Sequence, residues 1–165
     1  MFLFSCTSTN IQQYADRTPK FDVKQFFDGK LTAHGIVKNR SGKVTRYFNA
    51  TIDANWDEQN IGTLDEVFEF DDGEIQKRVW TLVPNDNGTY TTSANDVVGS
   101  SILTTSGNAL FMQYILQIPR NDGTINVDID DKMYLVGPNV VINESIIRKF
   151  GIKFGSIQLV INKAS

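Results

Sequence analysis

Cysteine and histidine are nearly absent: the 165 residues contain one of each, Cys6 and His34. A lone cysteine cannot form an internal disulfide. A lone histidine has no second histidine or cysteine with which to complete a transition-metal site or a Cys-His nucleophile. His34 is therefore expected as a surface or hydrogen-bonded strand residue. Asp128, Asp130 and Asp131 cluster in sequence but lack the Asp-x-Asp-x-Asp-Gly frame and distant Glu of a calcium loop, so no metal or other cofactor is implied. Positive charge is not in excess either. With 16 Lys and Arg against 19 Asp and Glu, a net charge of -3 and no basic run, the composition argues against a nucleic-acid partner. Past residue 6 no apolar stretch approaches the ~20 residues of a membrane-spanning helix, so membrane attachment is expected only at the terminus. Internal repeats, low-complexity stretches and a second-domain linker are also missing.

What remains is a pattern of period two. From Val44 to Ala54 the set Val44, Phe48, Ala50, Ile52, Ala54 alternates with Thr45, Tyr47, Asn49, Thr51, Asp53, which is the pattern of a half-buried strand. Similar alternation covers Ile75 to Val83, Leu110 to Ile118, Ile125 to Ile129, Val140 to Ile147 and Ile157 to Ile161. Asn39-Arg40-Ser41-Gly42, Asp71-Asp72-Gly73, Asn85-Asp86-Asn87-Gly88, Asn121-Asp122-Gly123 and Gly137-Pro138-Asn139 punctuate these runs as turns. Nine or ten strands joined as meanders leave two sheet edges, and closing the sheet removes them. The expected fold is all-β, an antiparallel up-and-down barrel or strongly bent meander sheet, with a two-sheet sandwich as the alternative. Ahead of it, Phe21 to Gly29 reads as one short helix: Asp22 caps it, Gln25 completes the capping box and Gly29 ends it. Its face of Phe21, Phe26 and Phe27 suits the plug of a sheet. One domain is expected over 21–165, preceded over 7–20 by a polar stretch without hydrophobic period that reads as a flexible tether.

Residues 1–6 carry a different signal. Leu3-Phe4-Ser5-Cys6 resembles the bacterial lipobox, in which an apolar residue three before the cysteine and a small residue just before it precede lipidation and signal-peptide cleavage. The resemblance implies a diacylglyceryl thioether on Cys6. Only the end of an apolar signal core is present, so either the start is truncated or Met1 is not the true start. Thr7, not Asp, follows the cysteine, which in such lipoproteins implies export to the outer membrane, here with the domain facing the periplasm.

A wider resemblance rests on Asp65-Glu66-Val67-Phe68-Glu69-Phe70-Asp71-Asp72-Gly73-Glu74 with Arg78-Val79-Trp80, on Asn95-Asp96-Val97-Val98-Gly99 and Gly107-Asn108-Ala109, and on Asp128-Ile129-Asp130-Asp131-Lys132-Met133 and Lys149-Phe150-Gly151. In their order and spacing these segments resemble a family of uncharacterised bacterial lipoproteins, a domain of unknown function. Its members look lipocalin-like and are often encoded near enzymes that modify fatty acids, which implies a lipid or fatty-acid-like ligand. The Gly-x-Trp of true lipocalins is missing from Leu31-Thr32-Ala33-His34-Gly35-Ile36-Val37, so the resemblance is one of architecture.

Polar residues on apolar faces supply the candidate site. Arg46 shares a face with Phe48 and Ile52, Arg78 shares one with Trp80 and Leu82, and Tyr114 lies between Met112 and Leu116. An arginine so placed needs a carboxylate, for which Asp96, Asp130 and Asp131 are available. The candidate ligand-binding set is Arg46, Arg78, Trp80, Asp96, Tyr114 and Asp130. In one reading an arginine is a structural ion pair. In the other it holds a carboxylate or phosphate headgroup while the apolar lining takes an acyl chain. The leading function is a monomeric, tethered module that binds or transfers a fatty acid or other apolar small molecule. The alternatives are an enzyme on a lipid-like substrate, with Asp96 or Asp130 as acid or base beside Arg78, and a purely structural envelope protein.

Overall fold

A computed structural model describes residues 9–164; Cys6 and the residues around it lie outside the described residues. Ten strands follow one another round a closed antiparallel barrel: β1 Gly29–Asn39, β2 Val44–Trp56, β3 Gly62–Phe70, β4 Ile75–Pro84, β5 Tyr90–Ala94, β6 Ser101–Ser106, β7 Ala109–Arg120, β8 Gly123–Gly137, β9 Val140–Lys149 and β10 Ile152–Lys163. The ring closes where β10 pairs with β1, Ala33 opposite Ile161 and Val37 opposite Ile157. No sheet edge is left in the barrel wall, which is the stability argument for closure over the open sandwich.

Alternation along each strand decides the interior. On β2, Phe48, Ala50, Ile52 and Ala54 are buried while the residues between them are exposed. The same rule puts Leu64, Glu66 and Phe68 of β3, Arg78, Trp80 and Leu82 of β4, and Val127, Ile129 and Asp131 of β8 inside.

The expected N-terminal helix is a single turn, α1, Val23–Phe26, in which the Asp22 carboxylate accepts the Gln25 amide at 2.9 Å. It stops short because Phe27 turns toward the barrel, where its carbonyl accepts the Trp56 indole N–H at 2.6 Å. Phe21, Phe26 and Phe27 pack on one another with centroids 5.0 to 6.2 Å apart, and all three are buried. They close the barrel end reached by the β2–β3, β4–β5 and β8–β9 connections.

Within the stretch read as a tether, the described part differs from a free chain. Ile11–Tyr14 form a 3-10 turn against β6 and β7, and the Tyr14 ring packs on Phe111 and Tyr134 at 5.9 and 5.3 Å. Composition understated this segment because one aromatic supplies most of its contact.

Candidate functional site

The two ends of the barrel are unlike. At the plugged end the inward residues, such as Leu31, Ala54, Leu82 and Leu110, are buried. Toward the other end Val37, Phe68, Leu116, Ile147, Ile157 and Leu159 also point inward yet are only half-buried. The interior is therefore apolar and less tightly packed toward this end, called the mouth below.

Polar side chains meet at mid-depth, below that mouth. Arg78 on β4 donates from Nε to both oxygens of Asp96 at 2.8 and 2.9 Å and from Nη2 to Oδ2 at 2.8 Å. Asp96 stands in the β5–β6 connection because β5 and β6 are short and stop below the rim. The connection continues the wall: Val98 N bonds Ile115 O at 2.9 Å, and Asp96 O accepts Gln117 N at 2.8 Å. Asn95 does the same on the β4 side, its Oδ1 accepting the Val79 amide at 2.7 Å. Burial by itself lowers the pKa of the Arg78 guanidinium, but its bonds to Asp96 and the neighbouring Tyr114 and Glu66 raise it, so it stays charged.

Across the barrel, Asp131 on β8 accepts the Asn143 amide at 2.5 Å and the Ser145 hydroxyl at 2.8 Å, both from β9. Burial raises its pKa, and these two bonds offset part of the rise. Glu66 on β3, opposite Arg78, and Tyr114 on β7 complete the cluster. Burial pushes Glu66 up to about 7, despite the Arg78 charge that pulls it down. The Tyr114 ring meets Trp80 edge-on at 5.2 Å. Burial also raises its hydroxyl pKa, so Tyr114 stays neutral. The Trp80 indole lies beside Glu66, and neither the Glu66 carboxylate nor the Tyr114 hydroxyl makes a side-chain hydrogen bond to a described residue. Both residues are half-buried while facing inward, so water reaches them from within the barrel.

Four of the six candidate ligand residues therefore come together: Arg78, Trp80, Asp96 and Tyr114. Arg46 does face the interior, but at the rim. Its Nη2 pairs with Asp72 at 2.8 Å and Glu74 at 2.7 Å of the β3–β4 turn, and its guanidinium lies 3.7 Å over the Phe70 ring. Asp130 is a correction. Period two sends it to the outer wall, where it faces Lys132 and Arg148 at 3.6 Å each, and Asp131 is the inward residue. Of the three carboxylates available to Arg78, Asp96 is the partner. His34 is outward, with Nδ1 2.7 Å from Asn49 Oδ1. Glu66, Asn143 and Ser145 were not anticipated. For Glu66 the signal was present: Leu64, Glu66 and Phe68 share one face of β3, a carboxylate among apolar neighbours, the criterion that singled out Arg78.

Comparison with known proteins agrees with this architecture. A family profile described as "Protein of unknown function (DUF3833)" matches residues 1–163. No curated protein sequence matches the chain. Among solved structures, the S-type phycobiliprotein lyase CPES from Guillardia theta superposes with a TM-score of 0.51 at 12% identity, over 95% of this chain and 99% of that one. At that identity the likeness is one of fold, a lipocalin-like barrel.

Proposed function

The chain belongs to the DUF3833 family of proteins of unknown function, and for it we propose the binding of a small apolar molecule inside the barrel, its polar head at Glu66 and Tyr114. The observation that carries the reading is the Tyr114 hydroxyl, which faces inward without a described partner beneath an apolar mouth. Water reaches this hydroxyl from inside the barrel, and a ligand head would take that water's place as its partner.

The head's chemistry follows from the charges. Arg78 is spent on Asp96, so a headgroup meets Glu66, Asp131 and two neutral donors, Tyr114 and Ser145. A free carboxylate is disfavoured above pH 7, where Glu66 is ionised. A hydroxyl head, or a carboxyl that shares a proton with Glu66, fits. Long-chain alcohols and protonated fatty acids are the ligand class, carried by a lipoprotein of the bacterial envelope held through Cys6. The anchor rests on Leu3-Phe4-Ser5-Cys6 alone. Titration of tryptophan emission, from Trp80 in the site and Trp56 at the plugged end, with a long-chain alcohol tests the binding: saturation at one ligand per chain is expected, and its absence removes the reading.

One observation favours a second reading, an acid-base enzyme. Glu66 with a pKa of about 7 suits proton transfer at neutral pH better than Asp96, which is held by Arg78. In that case Glu66→Gln abolishes turnover and leaves ligand binding in place.

A further inference from the structure

The open end carries an apolar feature that neither the barrel core nor the site below it uses. Strands β9 and β10 join through Arg148-Lys149-Phe150-Gly151-Ile152-Lys153-Phe154, with Lys149 opposite Ile152 and only Phe150 and Gly151 in the turn. Phe150 has φ +51, a conformation disfavoured for a bulky residue, and its side chain is 88% exposed. The register slips between Lys153 and Gly155, which leaves Phe154 at the bulge, 60% exposed, beside Ile152 at 57%. A soluble surface gains nothing from three such side chains on one hairpin.

Their charges are as selective as their exposure. Neither 148–154 nor the adjoining turn 38–43 contains an Asp or Glu, although the whole chain is net acidic. The two segments are neighbours because β1 pairs with β10, Asn39 opposite Gly155. Among the described residues Arg148 pairs with Asp130, while Arg40, Lys43, Lys149 and Lys153 make no ion pair. Lys149 Nζ lies 4.7 Å over the Phe150 ring. At the root of the hairpin Asp128 of β8 lies opposite Arg148, and Asp130 pairs with it. The turn carboxylates of this end are Asp71, Asp72 and Glu74 in the β3–β4 turn, the last two bound to Arg46, and Asp122 in the β7–β8 turn.

We propose that the β9–β10 hairpin, with the β1–β2 turn beside it, docks the open end of the barrel on a bilayer that contains anionic lipid. Aromatic and aliphatic tips that project from a surface, flanked by uncompensated Lys and Arg, match the interfacial zone of such a bilayer, where rings enter the headgroup boundary and cations meet phosphate. A protein partner would offer such tips a pocket and pair the cations with carboxylates; charge complementarity and the position at the mouth favour the bilayer. The docking stands whether or not the barrel carries a ligand, and it would present the mouth to the membrane.

The test uses full-length chain bearing Cys6→Ser, so that no acyl anchor contributes. Co-sedimentation is measured with vesicles of phosphatidylcholine alone and of phosphatidylcholine mixed with phosphatidylglycerol. Partitioning into the mixed vesicles is expected to be about tenfold stronger or more. It should fall by about tenfold in Phe150→Ser with Phe154→Ser, and again in Lys153→Glu, with melting temperatures unchanged because all three side chains face solvent. Equal partitioning by these variants, no preference for the anionic vesicles, or a hairpin-dependent dimer in their absence would each overturn the proposal. Ligand titration of the same variants in vesicle-free buffer keeps this result apart from the binding reading.

Discussion

Arg78 and Asp96 are joined by three hydrogen bonds, Nε to both carboxylate oxygens at 2.8 and 2.9 Å and Nη2 to one at 2.8 Å. They come from a strand and from the connection that completes the wall beside it, so the pair fastens that connection to the barrel. With side-chain exposures of 16% and 26%, it is sheltered enough to matter. Arg78→Met keeps the apolar stem and orphans Asp96. Stability should fall by about 2–4 kcal/mol, below the range for a fully buried pair because Asp96 keeps some access to water. A denaturant melt measures it. A melt unchanged from wild type, together with lost affinity, would make Arg78 the headgroup clamp instead.

The pH dependence of stability should carry the signature of Glu66. The folded protein keeps that proton up to about pH 7, whereas the unfolded chain releases it near 4.5. Between those values the native state binds more protons than the unfolded one, so stability falls as pH rises through the window. Asp131, also raised by burial, adds in the same direction. Glu66→Gln should stabilise by about 2–3 kcal/mol at pH 8, less than the full shift because water reaches the site, and by little at pH 4.5. Melts at the two pH values decide it.

Gly107 holds the N-terminal segment. It has φ +54, and a Cβ there would come 1.7 Å from the Tyr14 carbonyl oxygen. Gly107→Ala should cost about 1–3 kcal/mol. It should also lift Ile11–Tyr14 from the wall, speeding amide exchange at Arg17 and Phe21, whose N–H groups bond Tyr14 O and Gly107 O. Unchanged protection at both amides would show that the segment does not depend on this contact.

Gly73 ends the Asp71-Asp72-Gly73 turn with φ +87, and its Gly73→Val variant should lose about 1 kcal/mol or more. The same change is expected to loosen the Arg46 cluster, since Asp72 and Glu74 flank the glycine. Equal melting temperatures would contradict this.

The barrel was legible in the sequence because period two and turn residues are local signals, as on β2, where Phe48, Ala50, Ile52 and Ala54 alternate without a fault. Its site was legible only in part. Asp130 and Asp131 are adjacent, and the choice between them turns on register, which Val127 and Ile129 fix in favour of Asp131. Glu66 stands in a stretch that also holds Asp65 and Glu69 on the outer face of β3, so a charged face hid an inward carboxylate. The shifts in register at Val37/Lys38 and Lys153/Gly155 leave no mark of their own in composition, and with them the exposure of Phe154 was invisible. The wall formed by 95–99 depends on how short β5 and β6 are, which no residue pattern declares.

The most direct test of the central claim, an apolar ligand with its head at Glu66 and Tyr114, is a titration of tryptophan fluorescence with one long-chain alcohol and one fatty acid at pH 6 and pH 8. Both ligands should saturate at one per chain at pH 6. At pH 8 the alcohol should bind as before while the fatty acid weakens by about tenfold, and Glu66→Gln should remove that difference. Tyr114→Phe should weaken both ligands by about 0.5–1.5 kcal/mol, one hydrogen bond. Absence of saturable binding by either ligand to folded protein, or binding that both substitutions leave untouched, would contradict the account.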